Sequence, residues 1–152
     1  MIYLVGVDHV IQHGGFLWPA KVAAIKEFSQ YLETMVAEKR ISVIAEEFSH
    51  DALSMSCATI STAQTLADRV GAAHLFCDPG KSEREEHKIT TKDQREEFWL
   101  QRLTGLLNEN ILFLCGECHL ETFQEKLHGH GVPAEILSRG WGANLIPDGA
   151  QP

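Results

Sequence analysis

Two short stretches of the chain repeat one pattern, a glycine, two further residues and a histidine. They are Gly6-Val7-Asp8-His9 and Gly116-Glu117-Cys118-His119. Each follows an apolar run rich in strand formers, residues 2–6 and 111–115. A third such run, residues 41–45, ends in the adjacent carboxylates Glu46 and Glu47. Two neutral imidazoles and a carboxylate can hold a divalent metal with a position left for water. Such a metal lowers the water's pKa and supplies hydroxide near neutral pH. Without a metal, one histidine oriented by Glu46 acts as a general base on water attacking an ester or amide. Both chemistries stay open on the residues alone, with His9, Glu46 and His119 as the catalytic set and the same three as metal ligands. Glu47 is the reserve for Glu46. No GxSxG elbow and no glycine-rich phosphate loop is present.

The elements that must position these groups alternate in type. Apolar residues 22, 25, 28, 32, 35 and 36 have helical spacing, and Pro19 suits a first helical turn. Ser61-Thr62-Ala63-Gln64 reads as a capping box opening a helix that Gly71 closes, and Thr91-Lys92-Asp93-Gln94 as a second one. Residues 73–77 and 132–137 make further strands, residues 120–127 a helix, and the polar stretch 81–92 a solvated loop. Strands alternating with helices predict an α/β fold, a three-layer α/β/α sandwich on a mostly parallel sheet of about five strands. Ligands of such sheets bind beyond the carboxyl ends of the strands. Gly6, Glu46, Asp78, Gly116, His119 and Arg139 all fall at those ends. A glycine there lets the backbone turn sharply off the strand.

Length suits a single domain over residues 1–152, with 139–152 as an irregular tail. Apolar residues at 44% and charged residues at 22% are ordinary for a globular chain. The net charge is −8 with no basic stripe, which argues against nucleic acid and against an anionic membrane surface. No run approaches the roughly 20 apolar residues of a membrane helix. The start lacks the features of a signal peptide, so the four cysteines are expected as reduced thiols in the cytoplasm.

The two GxxH turns, with a glutamate ending the second strand, resemble the erythromycin-esterase / ChaN / TraB–TIKI superfamily. The matching residues are Gly6 and His9, Gly116 and His119, and Glu46 within Ala45-Glu46-Glu47-Phe48. The resemblance implies that both histidines and the glutamate line one pocket, which an arginine often joins. Arg139 and Arg84 are the candidates by location, and Gly6, Gly116 and Arg139 are the expected ligand-side contacts. Members are variously metal-dependent peptidases, metal-free esterases and haem binders. The implied function is a small hydrolase-like protein acting on a small-molecule or peptide substrate, with a divalent metal as the candidate cofactor. The alternative is a non-catalytic protein holding a metal, haem or small metabolite in the same pocket.

Cys115-Gly116-Glu117-Cys118-His119 overlaps the second turn and carries a third reading. As CxxC between a strand and a helix it resembles a thiol oxidoreductase turn, since a thiol at a helix N-terminus has a lowered pKa. As CxxCH it fits haem attachment, which a buried strand cysteine disfavours. Against both stands a plain structural role, with Cys115 in the core and Cys118 in a turn. His13 could extend the first loop over the pocket, and His50 and Asp51 could line it. His74 is expected in the core or paired, and Trp99 as a packing anchor.

Overall fold

The computed structural model describes residues 1–13 and 15–145. The apolar runs become strands β1 (Ile2–Val7), β2 (Val43–Glu46), β3 (Ala73–Phe76), β4 (Ile111–Cys115) and β5 (Ala134–Trp141). They form one sheet, parallel throughout, in the order β3-β2-β4-β1-β5. Helices α1 (His9–Gln12), α2 (Pro19–Lys39), α3 (His50–Met55), α4 (Thr62–Val70), α5 (Lys81–Glu86), α6 (Lys92–Leu103) and α7 (Leu120–Gly129) connect them.

Side chains alternate across the sheet with a period of two, and that period builds two cores. Leu4, Val43, Ala45, Phe113 and Cys115 face α6 and α7, where Trp99, Leu103, Phe123 and Leu127 meet them. Val5, Val7, Ile44, Leu112 and Leu114 face α2 and α4, against Phe28, Leu32, Leu66 and Ala67. The α/β fold is therefore layered as α/β/α. The helices begin where capping chemistry calls for it. Ser61 accepts from the Gln64 N–H at 3.0 Å, and Gly71 ends α4 with φ of 74°. Thr91 and Gln94 form the capping box of α6.

Three elements differ from the sequence reading. Part of the polar stretch 81–92 is the helix α5, because Glu83 accepts from the Gly80 N–H at 2.9 Å and Asp51 from the Lys81 N–H at 2.7 Å. Two side chains thus satisfy amides that a charge count leaves to solvent. A short helix, α3, follows β2 and is capped by Ser49. Finally, β5 runs on to Trp141 through register shifts against β1, and the ring of Trp141 packs 5.3 Å from Phe28 and 5.0 Å from Tyr31. That replaces an irregular tail from 139 to 141; residues 146–152 lie outside the described residues. Among the described residues no helix is long and apolar enough to cross a membrane.

After β1 and β2 the chain passes through α2 and α4 on one face, and after β3 and β4 through α6 and α7 on the other. Strand β4 lies between β1 and β2, so its exit and theirs diverge. The crevice left at such a divergence is where open parallel sheets bind ligands.

Candidate functional site

The two glutamates that end β2 are neighbours in sequence and strangers in space. Glu46 continues the face of Ile44. Its buried carboxylate accepts from Ser61 Oγ, from His74 Nε2 at 2.8 Å and from Gln12 Nε2 at 3.2 Å. Glu47 emerges on the other side. It accepts from the Gly116 N–H at 2.7 Å and from Arg95 Nη2 at 2.6 Å, with His119 Nε2 at 3.3 Å. The sequence reading put Glu46 with His119 and kept Glu47 as the reserve. In the fold it is Glu47 that meets His119.

From Glu47 an alternating chain of charge extends in both directions. His119 Nδ1 lies 2.7 Å from Glu96 Oε1, and the same oxygen accepts from Thr122 Oγ1 at 2.6 Å. Arg95 Nε donates to Asp78 Oδ1 at 2.9 Å, Trp99 Nε1 donates to that oxygen at 3.1 Å, and Arg84 Nη2 donates to Asp78 Oδ2 at 2.6 Å. Burial alone would push the Glu47 carboxyl up. The hydrogen bond and charge of His119, the Gly116 amide and the Arg95 guanidinium outweigh it and hold Glu47 below its ordinary value. Burial would likewise lower His119, but the hydrogen bonds and charges of Glu47 and then Glu96 raise it. With Nδ1 bonded to Glu96 and Nε2 beside Glu47, both carboxylates favour the protonated ring of His119.

His9 has the opposite environment. It stands exposed at the first position of α1, which Asp8 caps by accepting from the Val10 N–H at 2.8 Å. Its Nδ1 lies 2.5 Å from Gln12 Oε1. The carboxylate of Glu46 can only accept, so the amide nitrogen of Gln12 must face it and the amide oxygen must face His9. That oxygen can only accept as well, so Nδ1 of His9 carries a proton, and in the neutral ring the lone pair is on Nε2. The relay Glu46–Gln12–His9 therefore sets the tautomer of the exposed ring. Glu46 does orient a histidine, through Gln12.

A cleft of about 380 Å³ opens between these two systems, lined by His9, His13, Phe48, Ala52 and Met55 and by Glu47, Asp78 and Arg95. His9 reaches it directly, while His119, only 4% exposed, stands behind Glu47. His13 joins the lining, as its loop position suggested. His50 and Asp51 line a neighbouring depression that shares only Asp78 with this one. Arg139 is paired with Glu121 and lines a separate hollow beside Trp141, and Arg84 serves Asp78. Gly6 is explained by close approach, because a Cβ there would sit 2.8 Å from Leu120 Cδ1. Gly116 has a φ of −58° and room for a Cβ at 3.4 Å from Glu47 Oε2; its part in the site is the N–H that Glu47 accepts.

His9, Glu46 and His119 do not fit a divalent metal. Glu46 faces the other core, and both nitrogens of His119 face carboxylates. Among the described residues no three His, Cys, Asp or Glu side chains converge on a point where an ion could sit. The thiol reading also finds little support in the environment. Cys115 is buried, and burial first and then the charge of Glu47 push its thiol well above the ordinary value, away from the thiolate that exchange requires.

The sequence reading missed Gln12, Arg95 and Glu96. Gln12 had a signal, for it lies three residues after His9, the spacing at which helical side chains meet. Arg95 and Glu96 lie in the first turns of α6 within a charged run, and only the packing of α6 over β2 and β4 singles them out. Comparison of the chain with protein-family models, with curated proteins and with solved structures finds no match.

Proposed function

We propose that the chain is a hydrolase of small esters or amides, with His9 as general base and Arg95 as the electrophilic partner. The observation that carries this reading is the relay from Glu46 through Gln12, which leaves the unprotonated Nε2 of His9 on a cleft that also contains a guanidinium. His9 Nε2 takes a proton from water as the water oxygen bonds to the carbonyl carbon. The oxyanion that forms faces Arg95, whose Nη1 makes no hydrogen bond to another described residue. Preorganised donors of this kind stabilise charge that develops during reaction. Collapse breaks the C–O or C–N bond, and His9 returns its proton to the leaving atom. One water is consumed, and an acid and an alcohol or amine are released.

The resemblance to the erythromycin-esterase / ChaN / TraB–TIKI superfamily supports the same reading once its glutamate is placed on Glu47. That carboxylate has His119 beside it and is joined by an arginine, Arg95. The test is hydrolysis of small methyl esters by the wild-type chain and by His9→Ala. Because His9 is exposed, the variant should keep wild-type stability and lose about 10²–10⁴-fold in kcat/KM, the usual contribution of a general base. No turnover by the wild type, or full turnover by the variant, would refute the proposal.

A further inference from the structure

We infer that the substrate carries a compact apolar arm, which lies along Phe48, Ala52 and Met55; this rests on the hydrolytic reading of the same cleft. The walls of the cleft are unlike one another. Asp78, Glu47 and Arg95 gather on one side and His9 on another, while Phe48 and α3 supply the apolar remainder. Apart from Arg95 Nη1, the donor left for the oxyanion, the charged wall is paired internally, since Arg95 bonds both carboxylates and Asp78 also holds Arg84. A charged ligand would have to compete with those pairs, whereas an apolar arm loses nothing by lying against the other wall.

That wall is backed by structure. Phe48 is buried with Leu53 and Phe76 in a small cluster beneath α3, and its ring stands 6.4 Å from that of His9. The arm would therefore start next to the proposed base. Met55 is 84% exposed, a flexible thioether at the mouth with surface still to cover. Gly15 closes against the end of α3. A Cβ on Gly15 would fall 2.2 Å from the Ser56 carbonyl oxygen, a contact only glycine permits. A large apolar side chain exposed at the mouth of a cleft is surface that a ligand can cover. At about 380 Å³ the cleft is at the small end for ligand sites, which suits a short arm.

Two ester series run with the full chain test the inference. One comprises methyl acetate, methyl butyrate and methyl hexanoate; the other comprises methyl, butyl and hexyl acetates. In one of the two, kcat/KM should climb about fourfold for each methylene buried, which also assigns the arm to the acyl or the alcohol side. Ala52→Ser and Met55→Ser should flatten that climb. Calorimetric binding of N-butyl and N-hexyl acetamide to His9→Ala separates this inference from the reading beneath it. Binding that tightens with chain length, with no ester turned over by wild type, would overturn the hydrolase and leave the apolar arm standing. Turnover with flat profiles in both series would overturn the apolar arm and leave the hydrolase standing. Neither turnover nor binding would overturn both.

Discussion

Glu46 and Glu47 are the same residue type, adjacent and both buried, yet they head two different systems. Glu46 is held by a hydroxyl, an amide and an imidazole, and its line of contacts ends at the exposed ring of His9. Glu47 is held by a guanidinium, the ring of His119 and a backbone amide, in a line that closes on further carboxylates. The first branch is open at one end, where His9 reaches the cleft, as the proposed role of a general base requires. The second is saturated with charge pairs and is suited to hold Arg95 at the cleft wall. A strand's period of two converts a one-residue step in sequence into this division of labour.

The strongest way to break the comparison is to remove charge from each branch with little change in volume. Glu47→Gln leaves His119 and Arg95 against a neutral amide, and breaking a buried ion network in this way costs about 3–5 kcal/mol. Glu46→Gln should cost on the order of 1–2 kcal/mol, because it chiefly alters hydrogen bonds. Urea unfolding of both variants provides the measurement. Equal losses would mean that the two branches are energetically alike and that the division is wrong.

The charged branch also predicts a pH profile. Glu47 is held below its ordinary 4.5, so its contribution is complete above that value and is lost as pH falls through the lower folded value. His119 is raised above 6.5, so its contribution is complete below 6.5 and is lost as pH rises through the higher folded value. Between 4.5 and 6.5 both act in full. His13, lowered by burial and then by Lys21, runs the other way below 6.5, but it does so in the wild type and in a His119 variant alike. The stability advantage of wild type over His119→Gln should therefore shrink from pH 6 to pH 9. An advantage independent of pH would mean that His119 is not cationic in the fold.

How much of this was legible beforehand depends on which physical rule each residue obeys. The strands and their parallel sense follow from apolar runs separated by capped helices, and His9 follows from its place beyond β1, whereas the order β3-β2-β4-β1-β5 does not follow from the sequence. The register at the end of β2 was not legible. Ala45, Glu46 and Glu47 are all buried, so polarity does not reveal which carboxylate faces which layer. The strand was expected over residues 41–45, whereas Ile41 is buried in the turn before it and the strand is Val43–Glu46. Arg95 was illegible for another reason. In a run of charged residues at the start of a helix it reads as solvated, and only the burial of Trp99 one turn later brings that face of α6 down onto Asp78 and Glu47.

The open branch can be sharpened at Gln12, which on the proposed reading acts through His9 as a positioning residue. Gln12→Leu keeps the volume and removes both of its hydrogen bonds, freeing the His9 ring to take either tautomer. Glu46 retains Ser61 and His74. The expected result is a fall in kcat of about tenfold, typical of a lost orienting partner, with KM nearly unchanged. A rise in KM at constant kcat would assign Gln12 to the wall of the cleft.

The smallest effects are expected at the two cysteines that bracket Gly116, and their difference follows the same contrast between closed and open surroundings. Cys118 is exposed in the turn Glu117–His119, where its carbonyl, and not its thiol, accepts from Lys92 Nζ. Cys118→Ser should change stability by less than about 0.5 kcal/mol. Cys115 is sealed in the core with Ala45, Phe113 and Leu120, so Cys115→Ser buries a hydroxyl there and should cost about 1–3 kcal/mol. Thiol titration of the native chain should detect Cys57 and Cys118, the exposed pair, and release Cys77 and Cys115 only on unfolding. If Cys115 instead reacted in the native state, or formed a disulfide with Cys118 of thioredoxin-like potential, the strand end would have to open. Redox chemistry at the second GxxH turn would then displace hydrolysis as the function proposed for this edge of the sheet.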